Sequence, residues 1–143
     1  MASPIKRRIL LVEDHELIRA AIPRILDSPE FDLEFELAGN TKEAIDKMQV
    51  FQPHLVSLDI HIPGERGASG YYGGMYVLEQ IARAQRQMPL VVVFTADNSV
   101  HTQIKGQRLW EKYQPGRIFW VGKTSAPKEY TAAMYEAMRQ VTC

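Results

Sequence analysis

Five polar residues stand at the ends of short apolar runs. Glu13 and Asp14 follow Ile9–Val12, Asp59 lies in Leu55–Ile60, Thr95 closes Leu90–Thr95, and Lys123 follows Ile118–Val121 and Gly122. Taken singly, each has an ordinary use. Glu13 or Asp14 can cap a helix, Asp59 can occupy a turn, a threonine can end a strand and a lysine can face solvent. Their chemistry changes if the fold brings them together. Three carboxylates in one place repel unless a cation or protons offset them. An all-oxygen set of ligands suits Mg²⁺, which keeps several waters and accepts phosphate oxygens. Lys123 adds a cation on a flexible stem, and Thr95 adds a hydroxyl donor. A metal, a fixed cation, a hydroxyl and an oxygen nucleophile are the parts of phosphoryl transfer.

Whether these residues meet depends on the elements between them. Ile9–Val12 reads as a strand buried on both faces. Asp14 is placed to cap a helix in which Leu17, Ile18, Ala21, Ile22, Ile25 and Leu26 recur at helical spacing. Pro23 should bend that helix or remove a bond, and Ser28-Pro29 should end it. Phe31, Leu33, Phe35 and Leu37 alternate with acids, as in a half-exposed strand near a sheet edge. Asn40 with Glu43 predicts a capped helix carrying Ala44, Ile45 and Met48. Residues 61–74 form a glycine-rich loop, and a helix over about Met75–Gln87 buries Leu78, Ile81 and Ala82. A helix from about Ser99 to Tyr113, a turn at Pro115-Gly116 and a final helix from Pro127 complete the pattern. In the last helix Tyr130, Ala133, Met134, Ala137, Met138 and Val141 share one stripe.

Five strands alternating with five helices predict an α/β fold. The expected architecture is a single doubly wound, five-stranded parallel sheet of flavodoxin-like order 2-1-3-4-5. Its crevice lies at the carboxyl ends of the strands, where all five polar residues project. The chain of 143 residues is expected to form one domain over 1–143. Lys plus Arg and Asp plus Glu both equal 17, so no basic excess points to nucleic acid. The apolar run Leu90–Phe94 is far short of a membrane span of about 20 residues. Lys6-Arg7-Arg8 followed by Ile9–Val12 begins like a signal peptide, but Glu13-Asp14 ends its apolar core too early. Cys143 is the sole cysteine, which excludes an internal disulfide and fits a reducing, cytoplasmic setting. No GxxxxGK[ST], paired CxxC or HExxH occurs.

Four pieces carry a resemblance over essentially the whole chain: Ile9–Asp14, Ser57–Gly64, Phe94-Thr95-Ala96 and Val121-Gly122-Lys123. In that order and at those intervals the sequence resembles the receiver domains of two-component response regulators. The resemblance implies that Asp59 accepts a phosphoryl group from a histidine kinase or a histidine phosphotransfer protein. It implies that Glu13, Asp14, Asp59 and the backbone carbonyl of His61 hold Mg²⁺. Thr95 would hydrogen-bond the phosphoryl group and Lys123 would pair with it. Trp120 takes the position of the switch aromatic. The protein would be a phosphoryl acceptor that assists its own phosphorylation and dephosphorylation, not an enzyme acting on other molecules. Signalling would run through the face of helix four, strand five and helix five, to an effector or a second copy. Trp110, Tyr113, Phe119 and Trp120 fall in that region.

Three departures from the family pattern stand out. The connection after Asp59 exceeds the usual length of about 2–6 residues, so Glu65–Gly73 reads as an inserted surface loop in which Tyr71 and Tyr72 are adjacent. Thr124 stands where receivers have proline, which predicts a trans Lys123-Thr124 bond. The interval from Thr95 to Lys123 is a few residues longer than the family pattern, with the excess expected around Trp110–Arg117. Three rival readings remain at this point. One is a Zn²⁺ or Mn²⁺ hydrolase using Glu13, Asp14, His15, Asp59 and His61. Another is an interaction module working without phosphate. The third is a receiver fragment of a longer DNA-binding regulator.

Overall fold

Five strands form one sheet: β1 (Ile5–Val12), β2 (Phe31–Ala38), β3 (Leu55–Leu58), β4 (Leu90–Thr95) and β5 (Phe119–Gly122). Their order is β2-β1-β3-β4-β5, and every neighbouring pair is parallel. Five helices alternate with them: α1 (Glu16–Ile25), α2 (Thr41–Phe51), α3 (Gly73–Arg83), α4 (Val100–Glu111) and α5 (Pro127–Gln140). The computed structural model describes residues 3–64, 73–84, 89–97, 99–115, 118–124 and 127–141. The predicted insertion, with Tyr71 and Tyr72, lies outside the described residues, except that its last residue, Gly73, opens α3. Gly116 and Cys143 also lie outside them. Among the described residues no helix is long and apolar enough to cross a membrane.

The period-two alternation of β1 splits the core into two layers. Leu10 and Val12 face the side of α2, α3 and α4, where Ala44, Leu78, Ile81 and Trp110 pack. Ile9 and Leu11 face the side of α1 and α5, where Ile22, Leu26, Tyr130 and Met134 pack. The same alternation continues backwards into two arginines. Arg7 lies on the α5 side, and its Nε donates to Met138 O at 3.1 Å while the guanidinium covers the Phe31 ring at 5.5 Å. Arg8 lies on the α2 side and donates to the carbonyls of Phe51 and Gln52. Each arginine thus satisfies the open carbonyls at one helix C-terminus, where a cation also favours the helix dipole. β1 begins at Ile5, four residues before the expected start, because its backbone pairs with all of β2 from Ile5↔Phe31 to Val12↔Ala38.

Helix boundaries differ from the sequence expectation where capping decides them. The cap of α1 is His15, whose Nδ1 accepts from Ile18 N, and not Asp14. Helix α1 runs through Pro23 and stops at Ile25, before Ser28-Pro29, with Leu26 N bonded to Ile22 O. Its apolar residues divide into two rows four apart. Ile18, Ile22 and Leu26 meet the core, whereas Leu17, Ala21 and Ile25 are exposed. The expected Asn40–Glu43 cap is present, with Glu43 N donating to Asn40 Oδ1 at 2.9 Å. β3 ends at Leu58 instead of Ile60, α3 begins at Gly73 and ends at Arg83 instead of running from Met75 to Gln87, and β5 starts one residue later than expected.

Arg7→Ala is expected to lower the unfolding free energy by about 1–3 kcal/mol, since it leaves a buried helix end without donors. Arg8→Ala, whose guanidinium is largely solvated, is expected to cost less than about 1 kcal/mol. Urea denaturation checks both; equal losses would mean that burial of the Arg7 guanidinium adds nothing.

Candidate functional site

The sheet register brings the predicted residues to one edge. Val12 lies opposite both Ala38 and Leu58, so Glu13 and Asp59 leave the sheet side by side. Their amides make one further rung each: Glu13 N to Ala38 O and Asp59 N to Val12 O, both at 2.9 Å. Lys123 does the same beyond Thr95↔Gly122, with its amide bonded to Thr95 O at 2.9 Å. The backbone under the site is therefore held as sheet even where the strands have ended.

The side chains converge. Glu13 and Asp59 are 2% and 3% exposed, low values for carboxylates. Lys123 Nζ lies 2.8 Å from Glu13 Oε2 and 2.9 Å from Asp59 Oδ2. The other Asp59 oxygen accepts from His61 N at 3.0 Å. Glu13 Oε1 accepts from His15 N at 3.1 Å. Burial pushes the Glu13 carboxyl above its ordinary value, the Lys123 bond pulls it back, and the Asp59 charge adds to the rise. Burial works against the Lys123 ammonium, but its bonds to both carboxylates prevail and raise its pKa. Glu13, Asp14 and Asp59 each offer an oxygen within 4.8 Å of the others, with Asp14 exposed at the mouth. Three hard anionic oxygens are a fitting set for a divalent cation such as Mg²⁺.

Neither imidazole of the hydrolase reading belongs to this cluster. His15 caps α1, and His61 Nε2 faces Asp97 Oδ2 at 3.7 Å. Thr95 is fully buried, and its Oγ1 accepts from Asp97 N at 3.3 Å. Asp97 was not singled out in the sequence. Its Oδ2 accepts from the Thr102 hydroxyl at 2.8 Å and its Oδ1 from Ser99 N, and these bonds hold its carboxyl below the ordinary value. Asp97, Ser99 and Thr102 are spaced as a capping motif for α4, the signal that could have found Asp97.

The loop after Asp59 is strapped between two helix starts. Thr41 N bonds Pro63 O, and Gly74 N bonds Ile60 O. A methyl at Gly74 would lie 2.4 Å from Asp59 O, so only glycine lets α3 approach. Gly64 has φ +122° and also lies against Thr41. No peptide bond among the described residues is cis, so Lys123-Thr124 is trans as expected. Helix α4 ends at Glu111, and a turn at 112–113 takes up part of the longer interval before β5.

Trp120 packs toward α4, where a methyl at Gly106 would lie 2.5 Å from its ring. Its indole N–H is buried without a hydrogen-bond partner among the described residues. The aromatics expected to share one surface do not. Trp110 and Trp120 turn to the α4 side of the sheet and Phe119 to the α5 side, because alternate residues of β5 face opposite layers. The exposed apolar side chains of α4 and its C-terminal turn are Val100, Ile104 and Tyr113.

The structure is thus a doubly wound parallel sheet with three acids and a lysine gathered at its carboxyl edge. The response regulator receiver domain model matches residues 9–109, and the chain belongs to that family. It is 31% identical to the transcriptional activator protein ExaE of Pseudomonas putida, over 93% of this chain and 54% of that protein. It is 27% identical to the response regulator UvrY of Escherichia coli, over 88% of this chain and 51% of that protein. The chain spans about half the length of the curated relatives it matches. The non-phosphorylated HemR receiver domain of Leptospira biflexa superposes with a TM-score of 0.74 at 23% identity, covering 96% of this chain and 97% of that one. The BeF₃-activated RstA receiver domain of Klebsiella pneumoniae gives 0.69 at 24% identity, covering 93% and 99%.

Gly106→Ala, tested in a Trp110→Phe background, is expected to evict the Trp120 indole. Emission should shift to the red and quenching by iodide should rise. Stability should fall, although alanine in a helix normally gains about 1 kcal/mol over glycine. Unchanged emission with higher stability would show that Gly106 is not the seat.

Proposed function

We propose that Asp59 accepts a phosphoryl group in a Mg²⁺-assisted step, and that the modification alters a protein-interaction face. The observation that carries this reading is the Lys123 ammonium bridging Glu13 and Asp59 inside a cluster of three carboxylates. An Asp59 oxygen attacks phosphorus as the bond from phosphorus to the donor imidazole nitrogen breaks, and the imidazole, already protonated on its other nitrogen, leaves as the neutral ring with the bonding electron pair. The product is an acyl phosphate on Asp59. Glu13, Asp14, Asp59 and the His61 carbonyl would hold Mg²⁺, which when bound supplies charge neutralisation at the phosphoryl oxygens. The His61 amide fixes one Asp59 oxygen and leaves the carboxylate oriented. Lys123 pairs with the added charge, and the Thr95 hydroxyl, whose oxygen accepts from Asp97 N, donates its O–H to a phosphoryl oxygen. The same groups would serve the return of the phosphoryl group to water.

The donor is a histidine kinase or a histidine phosphotransfer protein. The exposed row Leu17, Ala21 and Ile25 begins three residues after Asp14 and gives such a donor an apolar surface beside the mouth of the pocket. The output face is that of α4, β5 and α5, where Val100, Ile104 and Tyr113 are exposed and Trp120 is the switch aromatic. An indole N–H buried without a partner among the described residues is costly, which favours an alternative position of that ring in contact with water. The occupant of the face is an effector or a second copy of this chain.

Acetyl phosphate with Mg²⁺ is expected to add one phosphoryl group, read by intact mass. Asp59→Asn should abolish the addition, and Glu13→Gln with Asp14→Asn should abolish its dependence on Mg²⁺. Undiminished labelling of Asp59→Asn would overturn the assignment.

A further inference from the structure

Beneath the pocket lie three side chains that the phosphoryl chemistry leaves unused: Ser57, Phe94 and Tyr130. Ser57 stands two residues before Asp59 on the central strand β3, among leucines and valines. Its hydroxyl lies 2.7 Å from the Tyr130 hydroxyl, and both residues are buried. Each hydroxyl is the other's partner, without which burial would be unfavourable. Burial raises the Tyr130 pKa and the Glu13 charge adds to the rise, so the phenol stays protonated. The Tyr130 ring also stacks on Phe94, with centroids 4.2 Å apart and planes inclined by 37°. Phe94 precedes Thr95 on β4, and the Lys123 ammonium sits 6.0 Å from the centre of its ring.

These contacts close a circuit. Lys123 bridges the carboxylates above, rests over Phe94, and so bears on Tyr130, which returns through its hydroxyl to Ser57 under Asp59. We propose that Tyr130 is a positioning residue that ties the start of α5 to the charge held in the acidic pocket. The proposal rests on the reading of Asp59 as phosphoacceptor. A phosphoryl group there brings added negative charge and new acceptor oxygens to the side chain that Lys123 already holds. The place of the ammonium over Phe94 then changes, and with it a contact of cation and ring. A packed aromatic stack passes such a shift on, because close-packed interiors do not absorb it locally. Helix α5 is suited to respond as a lever. Tyr130 lies near its N-terminus, while Arg7 holds its far end through Met138 O. The movement is therefore expected at residues 127–134, with 135–140 held.

The test compares hydrogen exchange of α5 in the 143-residue chain before and after loading with beryllofluoride and Mg²⁺. In the wild type, exchange over 127–134 should change by about fivefold or more on loading. Tyr130→Leu should reduce that change to less than half while acetyl phosphate still labels Asp59. A second variant, Ser57→Ala with Tyr130→Phe, keeps the ring and removes both hydroxyls without leaving either unpaired; it should also lose at least half of the change. A merely structural role would speed exchange equally in the free and loaded states and leave their ratio intact. An intact ratio in both variants, or no change in a wild type that labels normally, overturns the proposal. A wild type that does not label overturns the phosphoacceptor reading, and the proposal with it.

Discussion

One ammonium group among buried carboxylates sets the terms for this molecule. Glu13 and Asp59 leave adjacent strands at the same level, and both are almost fully buried. Two such charges, with Asp14 beside them, are unfavourable together unless a cation is shared. Lys123 supplies it from the far side of β4, which requires that β5 align with β4 and that its amide continue the ladder at Thr95. The parallel order is thus a condition for the pocket to exist. Moving any strand by one residue would turn its acid or lysine to the other face.

The elements around the pocket differ in how firmly they are held. The sheet is paired beyond its ends, α2 is capped by Asn40 and closed by Arg8, and the loop after Asp59 is pinned by Thr41 and Gly74. The starts of α4 and α5 instead depend on groups that touch the site. Asp97 joins Thr95 to the cap of α4, and Tyr130 joins Phe94 and Ser57 to α5. Trp120 packs on the α4 side with an N–H that has no partner among the described residues. A change of charge at Asp59 therefore meets a rigid floor and two helix starts with polar or aromatic links to it. That asymmetry is what a signalling domain needs.

Much of this was legible in the sequence, for physical reasons. Apolar runs placed the strands, β4 to the residue, and polar residues at their ends placed the pocket. The Asn40–Glu43 cap was legible because both partners lie within one helical turn. What escaped was decided by distant partners. Arg7 and Arg8 look like a surface charge run until α5 and α2 end above and below them. Leu17 shares a helical pattern with Ile18, and only the orientation of α1 against the sheet shows which row is buried. Ser57 reads as an interruption of an apolar strand, since its partner is 73 residues away in α5. His15 displaced Asp14 as the cap because Asp14 stands at the mouth of the acid cluster.

Charge balance in the pocket governs the whole arrangement, and thermal unfolding with and without Mg²⁺ measures that balance directly. Lys123→Met leaves two buried carboxylates without their cation. It should unfold at a lower temperature than the wild type in EDTA and recover much of the difference at saturating Mg²⁺. The wild type, which already has a cation there, should gain less from Mg²⁺. A Lys123→Met protein as stable as the wild type in EDTA, or one that Mg²⁺ does not restore, would contradict the account.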